Sequence, residues 1–376
     1  MAEKVLKRID WMLVFFILPI VLAGLFTMKS FSPLENGGTF FDKQIIWVLL
    51  SFAIFFVFSF IDFRFLKRTN VLVFIFLFFS SMLLLLFALG YVSHGAKSWF
   101  NFGFFSVQPV DVMKLVLILI LAKYFSRRHV EIHDIKHIFI SGFYVLLPMV
   151  LVLLQPDLGS AIILFSIWLG MILVSGISKT HLFLVFFSGA LFFAFLWMFT
   201  FAPYQKARIV NFINPLADIH GSGYNAFQST VAVGSGQILG KGLGFGTQSR
   251  LKFLPEPQSD FIFAAFSEEW GFIGSATLLM LYFLVIWRIL QFASYGASNF
   301  EILFAMGLAI FFMSHIFINI GMNLGLLPVT GIPLPFMSYG GSHLISEFAG
   351  LGILMSMQRY GRSVHRDDIK NEFLGA

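Results

Sequence analysis

Apolar residues run through this chain in blocks of about 17 to 25, the length an α-helix needs to cross a hydrocarbon core. No other feature limits the fold as tightly. A backbone in lipid must satisfy its own polar groups, and blocks of this length do so as helices. Barrel strands would alternate in polarity over about ten residues, and these blocks do not. Hydrophobic residues fill 58% of the 376 positions, charged residues 12%, and Phe alone occurs 52 times. A soluble domain is about half apolar and about a quarter charged. The expected fold is an all-α polytopic membrane protein, a single integral membrane domain over residues 1–376. Ten transmembrane helices are expected, at about 11–28, 45–61, 71–91, 109–125, 138–154, 158–174, 182–202, 261–287, 300–324 and 342–358.

Lys and Arg orient these spans. Lys4, Lys7 and Arg8 precede span one, and Arg64, Lys67 and Arg68 follow span two. Lys123, Arg127, Arg128 and Lys136 fall between spans four and five, Lys179 and Arg288 mark two later turns, and Arg359, Arg362, Arg366 and Lys370 lie in the tail. With ten spans all of these share one side, and the opposite short loops contain only Lys29, Lys43 and Lys97. Both termini, with the tail at about 359–376, are therefore expected in the cytoplasm, and one large loop, about 203–260, outside. This placement explains the net charge of +6 without a nucleic-acid partner. The absence of Cys excludes a disulfide framework and a thiolate metal site. A basic N-terminus before a long apolar run with no small-residue cleavage site reads as a retained signal-anchor.

Chemistry concentrates on the outer face. The large loop opens with Tyr204, Gln205, Arg208 and Asn211 and continues through glycines 234, 236, 240, 242, 244 and 246. Gly234–Lys241 fails as a Walker A loop, because Ser235 stands at the first position that would be glycine and Gly242 replaces the Ser/Thr. The glycines are instead expected to let the loop fold tightly and approach a ligand. The segment closes on Leu254-Pro-Glu-Pro-Gln-Ser-Asp-Phe261, which sets Glu256 and Asp260 at the mouth of span eight. Carboxylates there are costly to desolvate, which marks them for chemistry. Between spans five and six, Gln155–Gly159 permits only a tight turn, in which Asp157 is either a helix cap or a substrate contact. The Pro- and Gly-rich stretch Gly325–Gly341 reads as an ordered re-entrant loop beside a polar cavity open to the outside.

A few polar groups enter the spans themselves. Span four begins Gln108-Pro109-Val-Asp111-Val-Met-Lys114, and Asp111 and Lys114, at i and i+3, share a face. Either they neutralise each other for insertion, or Asp111 orients Lys114 as an anion-binding charge about 8 Å below the outer end of the span. Glu268 and Glu269 are neighbours in span eight. Only one of them can line the cavity of Asp260, and the i, i+8 relation selects Glu268. His315, Asn319 and Asn323 form a polar stripe on span nine, suited to interhelical hydrogen bonds or to a site. Glu347 in span ten requires a basic partner that sequence does not identify. Trp99, in the loop before span four, suits an interfacial anchor or a sugar-stacking lid.

Together these residues resemble the SEDS family of bacterial cell-wall polymerases (RodA, FtsW and SpoVE). The resemblance rests on Gly95-Ala-Lys-Ser-Trp99, Gln108–Lys114, Gln155-Pro-Asp-Leu-Gly-Ser160, Tyr204–Arg208, Gly223-Tyr-Asn225, Leu254–Phe261 and Leu327–Ser342, in the family's order. The short N-terminus before Asp10-Trp11, the Gly-Tyr-Asn225 triplet and Gly246-Thr-Gln-Ser249 are most like the RodA branch, which serves elongation. The resemblance implies a multi-pass protein of the bacterial inner membrane that polymerises lipid II into glycan strands at the outer face. Undecaprenyl-pyrophosphate-linked glycan would be its substrate, and a divalent cation (Mg²⁺ or Mn²⁺) its cofactor. Its partners would be a class B penicillin-binding protein, which supplies transpeptidation, and other membrane proteins of the elongation complex. Asp260 matches the family's essential aspartate, and Trp99 and Lys114 match site positions. The chain departs from the family in three places: Asp111 stands for a glutamate, Gln258 for a histidine, and Ser342-His-Leu-Ile-Ser-Glu347 for a run of small residues.

The expected chemistry is an inverting glycosyl transfer with Asp260 as general base. Lys114 and Arg208 would hold phosphates, Gln108, Asp111, Trp99 and Glu268 would contact substrate, and Glu256 would join Asp260 on the cation or cap span eight. Competing readings are a flippase for the same lipid, a division or sporulation member of the family, and a scaffold that only binds partner helices. A flippase would keep its coupling charges near the midplane.

Overall fold

The computed structural model describes residues 9–31, 40–93, 96–103, 105–127, 135–199, 201, 205–206, 209–210, 212 and 223–374. Among them run α1 (Trp11–Phe31), α2 (Phe40–Phe60), a 3₁₀ turn (Phe63–Lys67), α3 (Thr69–Leu89), α4 (Pro109–Ser126), α5 (Ile135–Leu154) and α6 (Leu158–Ser175). Then come α7 (Lys179–Phe199), α8 (Tyr224–Ser235), α9 (Thr247–Arg250), α10 (Ile262–Ser294), α11 (Asn299–Asn323) and α12 (Gly341–Leu374). A small antiparallel sheet, β1 (Tyr91–Ser93), β2 (Ala96–Asn101) and β3 (Ser106–Val107), leads from α3 into α4.

Each expected span meets one helix, α1–α7 and α10–α12. Eight of these are long and apolar enough to cross a membrane: α1, α2, α3, α5, α6, α7, α10 and α11. The two left out of the expected ten, α4 and α12, are the more polar ones. Asp111, Lys114 and Lys123 fall within the 18 residues of α4. That helix is buried along nearly its whole length and packs against α3, α6 and α11, so protein rather than lipid surrounds its charges. By contrast, α7 turns Phe183, Phe186, Phe187, Phe195 and Phe199 outward, as a lipid-facing helix does.

Span eight is not one continuous helix. Within α10, Gly271 takes φ 66° and ψ −162°, which breaks the helical run. The chain at residues 237–242 docks on this break. Phe272 N donates to Gln237 O at 2.8 Å and Ile273 N to Ile238 O at 3.1 Å. Lys241 N and Gly242 N donate in turn to Glu268 O and Glu269 O, at 3.0 and 2.9 Å. A Cβ at Gly236 or Gly240 would strike the backbone of α10. Two of the six glycines, Gly236 and Gly240, therefore serve close approach of the loop to its own helix.

The stretch between α11 and α12 is a hub to which α2, α6 and α10 attach. It has no regular structure, yet Leu334, Phe336 and Met337 are fully buried. Irregular backbone is tolerated at such depth because neighbours satisfy it. Tyr282 of α10 donates to Pro335 O (2.6 Å), Gln44 of α2 donates to Ser338 O (3.1 Å), and Ser338 Oγ donates to Ser259 O (2.7 Å). Gly159, at the start of α6, touches this stretch as well, and a Cβ there would lie 2.6 Å from Thr330 O. Its close approach is to the loop rather than to the neighbouring helix. Gly159→Val is expected to lower stability by about 1–3 kcal/mol through this overpacking. A thermal melt of the purified protein in detergent checks it, and an unchanged midpoint would refute the contact.

Candidate active site

Asp260 lies immediately before α10, half-buried, and the elements around it clamp its backbone rather than leave it on a free loop. Asn319 and Asn323, one turn apart on α11, each donate a side-chain N–H to Asp260 O at 3.0 Å. Asn319 also donates to Ile332 O at 2.7 Å, and Asn323 Oδ1 accepts from Ala264 N at 3.2 Å, in the first turn of α10. The polar stripe of α11 thus fastens the mouth of α10 to the hub loop and satisfies one of the free N–H groups of that helix start. Gly331, at φ 72°, faces the carboxyl, and a Cβ there would come within 3.3 Å of Asp260 Oδ2. Tyr339 N donates to Gln258 O at 2.8 Å, so the other side of the motif is held too.

Glu256 has φ 46° and closes the turn on itself. Its carbonyl accepts from Ser259 N at 3.2 Å, and its Oε2 accepts from the side chains of Gln258 and Ser259, each at 3.2 Å. It is not the cap of span eight: the N-cap position is Phe261, with no side-chain cap.

Glu268 has a different task from the one expected. Its carboxylate is fully buried and turned to the large loop, where it accepts from Lys241 Nζ (2.7 Å), Thr247 N (2.8 Å), Thr247 Oγ1 (3.0 Å) and Gln248 N (3.1 Å). Helical face arithmetic does not relate it to Asp260, because Asp260 precedes the helix. Its neighbour Glu269 accepts from Gly244 N at 3.1 Å. Both carboxylates fasten the loop to α10.

The second half of the site is built on α4. Pro109 occupies the first helical turn, and Gln108 before it donates Nε2–H to Asp157 Oδ2 at 3.0 Å. Asp157 is also the N-cap of α6, accepting from Ser160 N at 2.9 Å, so the cap reading of this residue holds. Lys114 Nζ lies 3.0 Å from Asp111 Oδ1, and both side chains are 3% exposed. Trp99 sits on β2, paired with Tyr91, while its neighbours Ser98 and Phe100 are buried. Trp99 lies ten residues before Pro109, the first residue of α4. Arg208, together with Tyr204 and Asn211, lies outside the described residues.

Sequence reasoning missed the partner of Glu347. It is His343, one turn earlier on α12, with Nε2 2.7 Å from Glu347 Oε1 and Nδ1 3.8 Å from Asp111 Oδ1. The i, i+4 spacing of the two was the available signal. His315 of α11 lies against His343, ring centroids 4.9 Å apart, and its Nδ1 is 3.2 Å from Pro333 O. The stripe that begins at Asp260 O therefore continues through α11 to the cluster around Lys114.

Among the described residues no group of three or more His, Asp or Glu is placed to hold a metal ion. A closed protein-only cage is thus absent there. Carboxylate oxygens such as those of Asp260 and Glu256 suit a hard cation rather than a soft one.

Three comparisons bear on this arrangement. The family model described as "Cell cycle protein", covering FtsW, RodA and SpoVE, matches residues 5–363. Stage V sporulation protein E of Bacillus subtilis is 36% identical over 366 residues, 94% of this chain and 98% of that protein. Peptidoglycan glycosyltransferase MrdB of Escherichia coli is 39% identical over 279 residues, 74% of this chain and 75% of its own. Among solved structures, a chain from "Structural coordination of polymerization and crosslinking by a peptidoglycan synthase complex" superposes with a TM-score of 0.79, at 29% identity, over 94% of this chain and 98% of that one. The rod shape determining protein RodA of Thermus thermophilus superposes at 0.69, with 27% identity over 93% and 96% of the two chains.

Proposed function

Because this chain belongs to the FtsW/RodA/SpoVE family, we propose that it is a peptidoglycan glycosyltransferase that polymerises lipid II at the outer face of the bacterial inner membrane. The observation that carries the reading is the clamping of Asp260: two asparagines of α11 and the hub loop hold its backbone, which leaves the half-buried carboxyl to face Gly331. In the reaction a sugar hydroxyl of one lipid-linked glycan attacks the anomeric carbon of the other. The Asp260 carboxylate takes the hydroxyl proton, the new C–O bond forms with inversion, and the bond to undecaprenyl pyrophosphate breaks. Lys114, held by Asp111, supplies positive charge for the departing pyrophosphate. Trp99 offers a face for a sugar, and Gln108 is positioned through Asp157. We assign Arg208 to a phosphate as well.

A Mg²⁺ or Mn²⁺ held by Asp260 and Glu256 would neutralise phosphate charge. We place both termini in the cytoplasm, count α4 and α12 with the eight apolar helices as ten spans, and set the protein in the elongation branch. Its partners there are a class B penicillin-binding protein and other membrane proteins of the elongation complex.

The test is a gel of glycan products from the purified full chain in liposomes, with lipid translocation followed in parallel. Strands without translocation support the proposal, and translocation without strands makes the protein a flippase. Chelation is expected to suppress strand formation at least tenfold, with recovery on adding back Mg²⁺ or Mn²⁺. Undiminished product in chelator would remove the cation from the mechanism.

A further inference from the structure

The cluster around Lys114 contains more charge than the glycosyl transfer described above uses. Two carboxylates, Asp111 and Glu347, are buried with one ammonium, Lys114. These three alone would leave a net negative charge in the protein interior, which is strongly disfavoured and would repel an anionic substrate. His343 stands between the carboxylates, with one ring nitrogen toward each, at 3.8 and 2.7 Å. An imidazolium has a proton on both nitrogens, and its charge, placed between the two carboxylates, balances the count. The other groups that face the cluster among the described residues add no charge of their own. His315 lies against the His343 ring with Nδ1 at Pro333 O, Tyr282 donates to Pro335 O, and Phe336 N donates to Glu347 Oε2 at 2.9 Å. The last of these ties the cluster to the hub loop, whose Gly331 faces Asp260.

We propose that His343 and Glu347 are positioning residues for substrate binding: they form a self-compensating ion pair, and the imidazolium keeps the buried charge around Lys114 balanced so that its ammonium attracts the pyrophosphate. The inference rests on the reading of Lys114 as the anion-binding charge.

Charge balance predicts opposite signs for two neighbouring substitutions. With the full chain in liposomes and lipid II as substrate, His343→Gln removes a positive charge. It is expected to raise KM about tenfold, with a smaller change in kcat, as a unit charge several ångströms away does at an effective dielectric near 20. Glu347→Gln removes a negative charge and is expected to lower KM about threefold or more. The double variant restores neutrality, so its KM is expected to return to within about twofold of the parent. A purely structural pair would show both single variants impaired and the double variant no better, and that result overturns the proposal. If His343→Gln does not fold, Glu347→Gln decides alone, and an unchanged or raised KM overturns the proposal. Lys114→Met separates the two layers of inference. If it leaves KM unchanged, the reading of Lys114 fails and this proposal with it. If it raises KM while His343→Gln and Glu347→Gln leave KM unchanged, only the present proposal fails.

Discussion

Asp260→Asn, purified and supplied with lipid II, is expected to polymerise at a rate lower by about 10²–10⁴, the usual contribution of a general base. The substitution isolates the chemistry, because Asn keeps the size of the side chain and alters neither backbone hydrogen bond. The carbonyl at position 260 still accepts from Asn319 and Asn323, each at 3.0 Å. The thermal midpoint of the variant is therefore expected to match the parent. Polymerisation at the parental rate would remove Asp260 from the reaction, and a large fall in midpoint would show that its carboxyl serves the fold. Gly331→Ala is the companion experiment. A Cβ 3.3 Å from Asp260 Oδ2, at a position with φ 72°, crowds the carboxyl and strains the backbone together. Its strand formation should fall while the Asp260 carboxyl itself stays present.

Glu268→Leu is expected to destabilise the protein by about 2–4 kcal/mol, because it leaves two backbone N–H groups without an acceptor and the partly exposed Lys241 without its carboxylate. The loss is large because the carboxylate is fully buried and gathers donors from three residues of the loop, Lys241, Thr247 and Gln248. Without it the ammonium and two backbone N–H groups lose their acceptor. The loop should then open, and trypsin should cleave at Lys241 or Arg250 at concentrations that leave the parent intact. Glu268→Gln keeps a carbonyl oxygen for Thr247 N and should give a milder fall of about 1–2 kcal/mol. A Glu268→Leu protein that melts and resists trypsin like the parent would refute the role.

The helices were legible because their cause is local. Each apolar block satisfies its own backbone wherever its neighbours lie, so α1–α3, α5–α7, α10 and α11 follow from length and hydropathy. The pair Asp111–Lys114 was legible for the same reason, since one helical turn separates the two residues. His343 and Glu347 were equally accessible through i, i+4 spacing. Glu268 was misread where that arithmetic was carried past the helix start to Asp260, which has no helical register. The break at Gly271 left no local trace. The residues that follow it, Phe272 and Ile273, donate backbone N–H groups to the carbonyls of residues 237 and 238, more than thirty positions earlier.

Sequence by itself determined a helical membrane protein with a carboxylate at the mouth of span eight and a lysine–aspartate pair in span four. The family motifs assigned these residues to the assembly of glycan strands. Only the tertiary structure decided what holds them. Asp260 is clamped by α11 and the hub loop, Glu268 is committed to the large loop, and His343 joins Glu347 to the Lys114 cluster. The division has one physical cause. Apolar burial and helical hydrogen bonding act over a few turns and are written in neighbouring residues, whereas a buried polar group is satisfied by whichever distant donor or acceptor packing brings within reach.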